Sequence, residues 1–446
     1  MASQRLKILL SAFVCHPDKG SEEGMGWQWL KELSKEHEVY ALISSFLDQE
    51  EPVRAAVDRL PHRANIHLTF IPMPPESKVI VAVFPSFSFY NQCVEWQKHA
   101  LKEAEKLLQT VDIDIIHHVT YGSWLLPNYL WKLPRLFVLG PVSGSQHLPL
   151  VGYSFLPVKG IVTELVRTAY SFWARLTSVA SREAVRNANL VLCSNLETLN
   201  EIGSIRDPKI TLLMSDSGIA FLPKASDEHS NLKSEPSNPS KSTSISLFWA
   251  GLIEPRKNFG LLLNALQVLP SDISWKLVVA GEGPLLPYWV KKVTQLGLQS
   301  NIEFLGQVPY RQMEEYYQKA DIFVFPSLRE GSPTVILEAM TYKLPVIGLK
   351  LNGTATVLSQ DCGVLIDVKS RKQLINDFAN AITRLARDHD LRRQIGERGY
   401  ERVKAFYTWE ERGKKMSSLY QEVLSTANLD VFKHQKVKPL KKAVQG

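Results

Sequence analysis

Four cysteines in 446 residues, Cys15, Cys93, Cys193 and Cys362, are too few and too scattered for a disulfide framework, and none forms a Cys-x-x-Cys pair that would suggest zinc. Reduced thiols in a cytoplasmic protein are the expectation. Long apolar runs are missing as well. The longest uncharged stretches, residues 79–94 and 136–158, are interrupted by proline, so neither offers the ~20 continuous apolar residues that span a bilayer. The N-terminus, MASQRLKILLSAF, lacks the longer apolar region and cleavage site of a secretory signal. Net charge is +7, but five lysines and no acid lie within residues 431–446, which leaves +2 for everything before them. The body of the chain therefore carries no basic stripe of the kind that grips nucleic acid. The tail reads as a solvated segment or, at most, a peripheral contact with the inner membrane face.

A dinucleotide fingerprint is absent too. Neither Gly24-Met-Gly26 nor Gly281-Glu-Gly283 is followed by a third glycine three residues on, which argues against a dehydrogenase. What the chain does have is short Val/Ile/Leu/Phe runs between longer amphipathic patterns, the signature of parallel strands covered on both faces by helices. Strands predicted over 7–13, 38–44, 66–72, 113–119, 136–142 and 190–194 make one α/β unit. Strands over 246–252, 275–280, 302–305, 322–325, 345–349 and 364–367 make another. The length also suits two domains. Residues 1–218 are expected to form an N-terminal Rossmann-like domain and 219–405 a second, with a polar low-complexity segment at 223–244. Open parallel sheets bind ligands beyond the carboxyl ends of their strands, so two such domains facing each other make a cleft for two substrates.

The richest stretch is IFVFPSLREGSPTVILEAM, residues 322–340. A strand ends, a loop carries Glu330, and a helix follows with Ser332 as its expected N-cap and Pro333 at its first position. The N–H groups of Gly331, Ser332 and Thr334 have few intrahelical partners, and the helix dipole adds partial positive charge, so a phosphate suits this place. Glu338 lies four residues after Thr334 on the same helix face. Carboxylates such as Glu330 and Glu338 accept hydrogen bonds from sugar hydroxyls. Arg256 and Lys257 sit just past another strand, before a helix, where cations meet phosphate. Asp112-Ile-Asp114 and Asp388-His-Asp390 have the spacing of a metal-held diphosphate, but one leads into a buried strand and the other lies in a polar turn, so no metal and no cofactor are expected.

Glu330-Gly-Ser-Pro-Thr-Val-Ile-Leu-Glu338-Ala-Met, followed by Leu344-Pro-Val-Ile, resembles the E-x7-E signature of retaining family-4 glycosyltransferases of the GT-B fold, and the resemblance spans nearly the whole chain. It implies transfer of a sugar from a nucleotide-sugar donor to an acceptor hydroxyl on a glycan or lipid-linked molecule, with the anomeric configuration retained. Glu330 would then orient the donor sugar and Glu338 hold the ribose. Phe248-Trp-Ala-Gly-Leu-Ile-Glu-Pro-Arg-Lys257-Asn is similar to the loop that clasps the donor diphosphate, which gives Arg256 and Lys257 that part beside Gly251. Leu252 stands where the family usually has arginine. Val279-Ala-Gly-Glu-Gly-Pro284 resembles the family's glycine turn, and Phe304-Leu-Gly-Gln-Val308 the loop whose backbone reads the base. In the first domain Gly20 and Ser21 match a glycine pair that approaches the donor phosphates. The usual His-Asp turn is replaced by Leu139-Gly-Pro-Val-Ser-Gly144, which leaves His118 as the substitute histidine. Residues 406–425 resemble the helix that crosses back to the first domain, with 426–446 as a basic tail. A non-catalytic binding protein of the same fold, or a sugar-nucleotide epimerase, are the alternatives.

Overall fold

The computed structural model describes residues 5–75, 85–207, 210–223 and 244–435. Among them, thirteen strands divide into two wholly parallel sheets. The first holds β1 (Lys7–Ala12), β2 (Glu38–Ser44), β3 (Ile66–Ile71), β4 (Ile115–His118), β5 (Leu136–Val142), β6 (Leu190–Cys193) and β7 (Thr211–Leu213), in the order β3-β2-β1-β4-β5-β6-β7. The second holds β8 (Ile245–Ala250), β9 (Trp275–Ala280), β10 (Ile302–Gly306), β11 (Ile322–Phe325), β12 (Val346–Leu349) and β13 (Val364–Ile366), ordered β10-β9-β8-β11-β12-β13. Both are Rossmann-like. Every strand expected from sequence is present, with ends moved by at most two residues. β7 was not expected, because it has three residues and Leu212 and Leu213 face solvent.

Alternation along each strand feeds two cores at once. In β1, Ile8 and Leu10 pack with Trp29, Leu30 and Leu33 of the helix Ser21–Leu33, while Leu9 packs with Trp96 and Ile116 on the other face. In β8, Leu247 and Trp249 join one cluster and Phe248 and Ala250 the other. Successive strand side chains point to opposite faces, so burial on both faces demands apolar residues at nearly every position.

Elements of each domain cross to the other. The helical turn Leu150–Phe155 of the first domain inserts Phe155 into the core of the second, under the guanidinium of Arg371 at 4.4 Å from its ring centre. In return, the helix Trp409–Gln435 lies beside Ser21–Leu33, with Trp409 5.2 Å from Trp29 edge to face. Its Tyr420 hydroxyl donates to His117 Nδ1 (2.6 Å), and His117 Nε2–H donates to the Gly140 carbonyl (2.7 Å). Ile219 fastens the crossing, donating to the Tyr407 carbonyl and accepting from the Trp409 N–H. The returning helix is longer than expected: residues 426–435, read from sequence as tail, continue it. Residues 436–446 of that tail, and 224–243 of the polar segment, lie outside the described residues.

Candidate functional site

β8 and β11 are neighbours at the point where the strand order of the second sheet reverses, so their loops diverge and open a crevice. The loop after β8 carries Arg256 and Lys257, and the loop after β11 carries Ser327 and Glu330. These residues meet. Lys257 Nζ lies 2.7 Å from Glu330 Oε1, Arg256 Nη1 lies 2.7 Å from Oε2, and Ser327 Oγ donates to Oε1 at 2.5 Å. Arg256 also pairs with Glu254 (2.6 Å) and donates to the Arg329 carbonyl (3.2 Å), while Lys257 Nζ sits 4.8 Å from the centre of the Phe325 ring. Burial alone pushes the Glu330 carboxyl up, but Lys257, Arg256 and Ser327 outweigh it and hold the group below the usual glutamate value. Burial draws the Lys257 ammonium below its ordinary value even with Glu330 beside it, Arg256 adding to the effect. Behind the cluster, the Glu330 carbonyl accepts from the Gly353 N–H (3.1 Å), an approach only glycine permits, since a Cβ on Gly353 would lie 2.0 Å from the Gly331 carbonyl oxygen.

The next helix is Thr334–Thr341, and its start differs from expectation. Pro333 is the N-cap and no side chain caps the helix. Ser332 is engaged elsewhere: its hydroxyl bonds with Ser215, and its carbonyl accepts from Ser217 Oγ at 2.7 Å. A first-domain loop therefore takes the serine that would have capped the helix. Thr334 Oγ1 joins it, donating to Ser217 Oγ (2.9 Å). The N–H groups of Gly331, Ser332 and Thr334 donate to no acceptor among the described residues. One turn on, Glu338 Oε2 accepts from the Tyr317 hydroxyl (2.7 Å), and Tyr317 stacks on Tyr342 with ring centres 5.4 Å apart. Burial raises the Glu338 carboxyl against the opposing effect of Tyr317. The same carboxylate acts with burial to raise Tyr310, and Val308 packs against the adjoining Phe248 and Phe323 cluster. Glu330 and Glu338 thus flank one helix start, the first among cations and the second among tyrosines.

On the first-domain side, Gly20 precedes the helix Ser21–Leu33 as its N-cap, and Ser21 takes φ 57°, an unusual value for a residue with a side chain. Glu22 Oε1 accepts from the Gly122 N–H (3.4 Å), which joins the start of the helix after β1 to the loop after β4 where the first sheet reverses its order. Burial and the nearby Asp216 push Glu22 up to about 7, and burial pushes Asp216 up to about 6 against the pull of Arg412. Asp216 lies against the loop that carries Glu330, its Oδ2 3.7 Å from where a Cβ on Gly331 would stand. Gln146 and Asn195 donate to the Glu330 and Gly331 carbonyls, each at 3.4 Å. None of Glu22, Gln146, Asn195, Ser215, Asp216 and Ser217 was expected. For Gln146 and Asn195 the signal was present, since each is a polar residue shortly after an expected strand, whereas Ser215, Asp216 and Ser217 follow β7, which the sequence does not announce.

His118 is not brought to this group. It ends β4 fully enclosed, with Nδ1 3.0 Å from Ser11 Oγ, and burial together with His117 pushes it down to about 3, so it stays neutral inside the sheet. Gly251 (φ 146°) and Gly281 serve packing between loops: a Cβ on Gly281 would stand 1.9 Å from the Gly251 carbonyl oxygen. Leu252 is half exposed, and the guanidinium that pairs with Glu330 belongs to Arg256. Both D-x-D strings have local work. Asp112 pairs with Arg135 (2.7 Å) and Asp114 accepts from the Lys7 N–H (2.7 Å). Asp388 caps the helix His389–Phe406 through the Leu391 N–H (2.8 Å), and Asp390 pairs with Arg393 (3.4 Å). Among the described residues no group of three or more His, Cys, Asp or Glu side chains is placed to hold a metal ion.

Residues 231–402 match the family described as Glycosyl transferases group 1. Over 179 residues the chain is 31% identical to a putative teichuronic acid biosynthesis glycosyltransferase, TuaC, of Bacillus subtilis, covering 40% of this chain and 42% of that protein. A longer, weaker likeness, 22% over 342 residues, relates 73% of the chain to 76% of the D-inositol 3-phosphate glycosyltransferase of Corynebacterium glutamicum. Among solved structures, a sucrose-phosphate synthase from Thermosynechococcus elongatus superposes with a TM-score of 0.63 at 19% identity, over 95% of this chain and all of that one. HepE of Anabaena, solved in complex with UDP, superposes with a TM-score of 0.57 at 14% identity over 94% of the chain and all of its own. These likenesses span both domains and give the architecture its name, the GT-B fold.

Proposed function

We propose that this chain, whose second domain carries a glycosyl transferases group 1 region, moves a sugar from a nucleotide-sugar to an acceptor hydroxyl with retention at the anomeric carbon. The observation that carries the reading is the cluster of Glu330, Arg256 and Lys257 beside a helix start whose Gly331, Ser332 and Thr334 amides are free of intrahelical partners. A diphosphate at that start meets amide donors, the helix dipole and two cations held in register by one carboxylate. In this reading Glu338, among tyrosines one turn further, meets a ribose hydroxyl, and Glu330 the donor sugar. In the transfer the bond from the anomeric carbon to the phosphate oxygen breaks. The acceptor oxygen bonds to the same face of that carbon, and its proton passes to the departing phosphate oxygen. Arg256, Lys257 and the amides offset the charge that grows on the diphosphate.

HepE is described in complex with UDP, which makes uridine nucleotides the first donors to try. A thermal-shift panel of uridine, guanosine, adenosine and thymidine diphosphate sugars tests the reading, since a ligand at ~100 times its dissociation constant stabilises by ~2.7 kcal/mol. One base should stand out, and the matching donor should then release nucleoside diphosphate when acceptor is added. If no nucleotide moves the melting transition, the site is misread.

A further inference from the structure

A helix at the surface of a domain normally buries its apolar stripe and shows solvent the rest. The helix Val158–Thr177 does the reverse: its buried residues are Gly160, Glu164 and Ala174, while Val158, Val162, Leu165, Val166, Phe172, Trp173 and Leu176 are each more than half exposed. At about 100° per residue these seven fall within an arc roughly 120° wide, and the three buried residues lie on the opposite side. The exposures are therefore one stripe along a 20-residue helix, about 30 Å long, and a continuous apolar surface of that extent marks an interaction face.

Charge decides what covers it. The helix has three basic residues and one acid, and the acid, Glu164, is turned inward and held by Arg167 and Arg329, each at 3.2 Å. Lys159 is exposed beside the stripe. At the far end Arg182 donates to the Leu176 carbonyl (2.6 Å) and has no carboxylate partner among the described residues. A second copy docked stripe to stripe would bring these like charges together. An anionic bilayer supplies opposite charge at its surface and apolar depth beneath, and Phe172 and Trp173 suit the boundary between them. The buried side of the helix also touches the candidate site. A Cβ on Gly160 would lie 3.4 Å from the ring of Pro255, and the Glu164 to Arg329 pair reaches the loop that carries Glu330.

We infer that the outward stripe of Val158–Thr177 seats the first domain on an anionic lipid surface, with the cleft at the bilayer. The seating stands on the stripe, and only the consequence that the acceptor is lipid-borne rests on the transfer reading. The test is flotation of the full chain with phosphatidylcholine vesicles containing about a third phosphatidylglycerol, against phosphatidylcholine alone. The natural chain should float with the anionic vesicles. Phe172→Glu with Trp173→Glu, at positions already in solvent, should cut the bound fraction at least roughly tenfold without moving the melting temperature or the nucleotide-induced shift. Lys159→Glu should cut it less, and a chain ending at residue 435 should still bind. No flotation of the natural chain overturns the inference, as does a double variant that floats unchanged. Binding that vanishes with residues 436–446 would assign it to the tail. Dimerisation abolished by the double variant, with flotation unaffected, would assign the stripe to a second copy. Flotation needs no nucleotide, so failure here and failure of the donor reading are told apart.

Discussion

Replacing Glu330 by glutamine keeps its size and its bond to Ser327 but removes the charge that two cations share. Lys257 is the more exposed to the loss in energetic terms, because its side chain is 8% accessible and its ammonium makes no second ion pair among the described residues, whereas Arg256 retains Glu254 at 2.6 Å. Removing one partner of a buried ion pair costs about 3–5 kcal/mol, since the other charge stays buried without compensation, and the retained Ser327 bond puts Glu330→Gln near the low end. At 2–4 °C per kcal/mol for a domain of this size, the second-domain transition should fall by roughly 6–12 °C. A double-mutant cycle with Lys257→Met identifies the cause. If the unpaired lysine is responsible, the double variant should be more stable than the sum of the singles predicts by at least about 1.5 kcal/mol. Nucleoside diphosphate should then rescue the variant, because the freed cations meet phosphate without competition from the carboxylate. The shift induced by UDP should exceed that of the natural chain, while turnover with the true donor falls. This departs from the simpler expectation that Glu330 touches sugar alone and leaves diphosphate binding unchanged. Melting within about 1 °C of the natural chain, together with an additive cycle, would refute the argument.

Lys257→Ala should weaken binding of UDP and of sugar nucleotides far more than that of uridine in calorimetry, and equal losses would show that its contact is not with phosphate. Glu338→Ala should weaken UDP and intact donor alike, by about 1.5–3 kcal/mol for a sheltered bond to a charged group, and a loss confined to the donor would place Glu338 on the sugar instead. Tyr420→Phe should cost about 1–3 kcal/mol in chemical denaturation, because His117 Nδ1 is left enclosed without a donor; an unchanged midpoint would mean that water replaces the hydroxyl. Glu22 and Asp216 carry folded-state values near 7 and 6, above the ordinary 4.5 and 3.8, so the folded state holds protons that the unfolded chain has released and their contribution declines as pH rises from about 4 to about 7. His117 and His118, pushed down to about 4 and 3, act in the other direction and lose stability as pH falls below 6.5. Glu22→Gln with Asp216→Asn should therefore gain on the natural chain between about pH 5 and pH 7.5, and a constant difference across that range would sink the assignment.

The parts of this molecule legible in its sequence are those that one segment determines. Strands buried on both faces need apolar runs, so β1, β8 and β11 announce themselves, whereas the three residues of β7 earn their place from Val191, Leu192 and Cys193 beside them. The loop and helix around Glu330 and Glu338 were readable because strand, loop and helix start follow one another in the chain. Pairing across loops was not. Arg256 and Lys257 lie more than seventy residues from Glu330, and nothing local says that its two oxygens divide between them. Ser332 was read as a cap on local grounds that hold for an isolated helix, and it lost that role because Ser215 and Ser217 of the other domain reach it. The helix Val158–Thr177 makes the same point in reverse. Its apolar content is plain from the sequence, but that content alone suits a lipid-facing helix and a buried one equally. The direction is set by Gly160 against Pro255 and by Glu164 drawn inward to Arg329, contacts that turn the small residues toward the protein and leave Phe172 and Trp173 outside. Composition fixes how much apolar surface a helix has, and tertiary contacts fix which way it points.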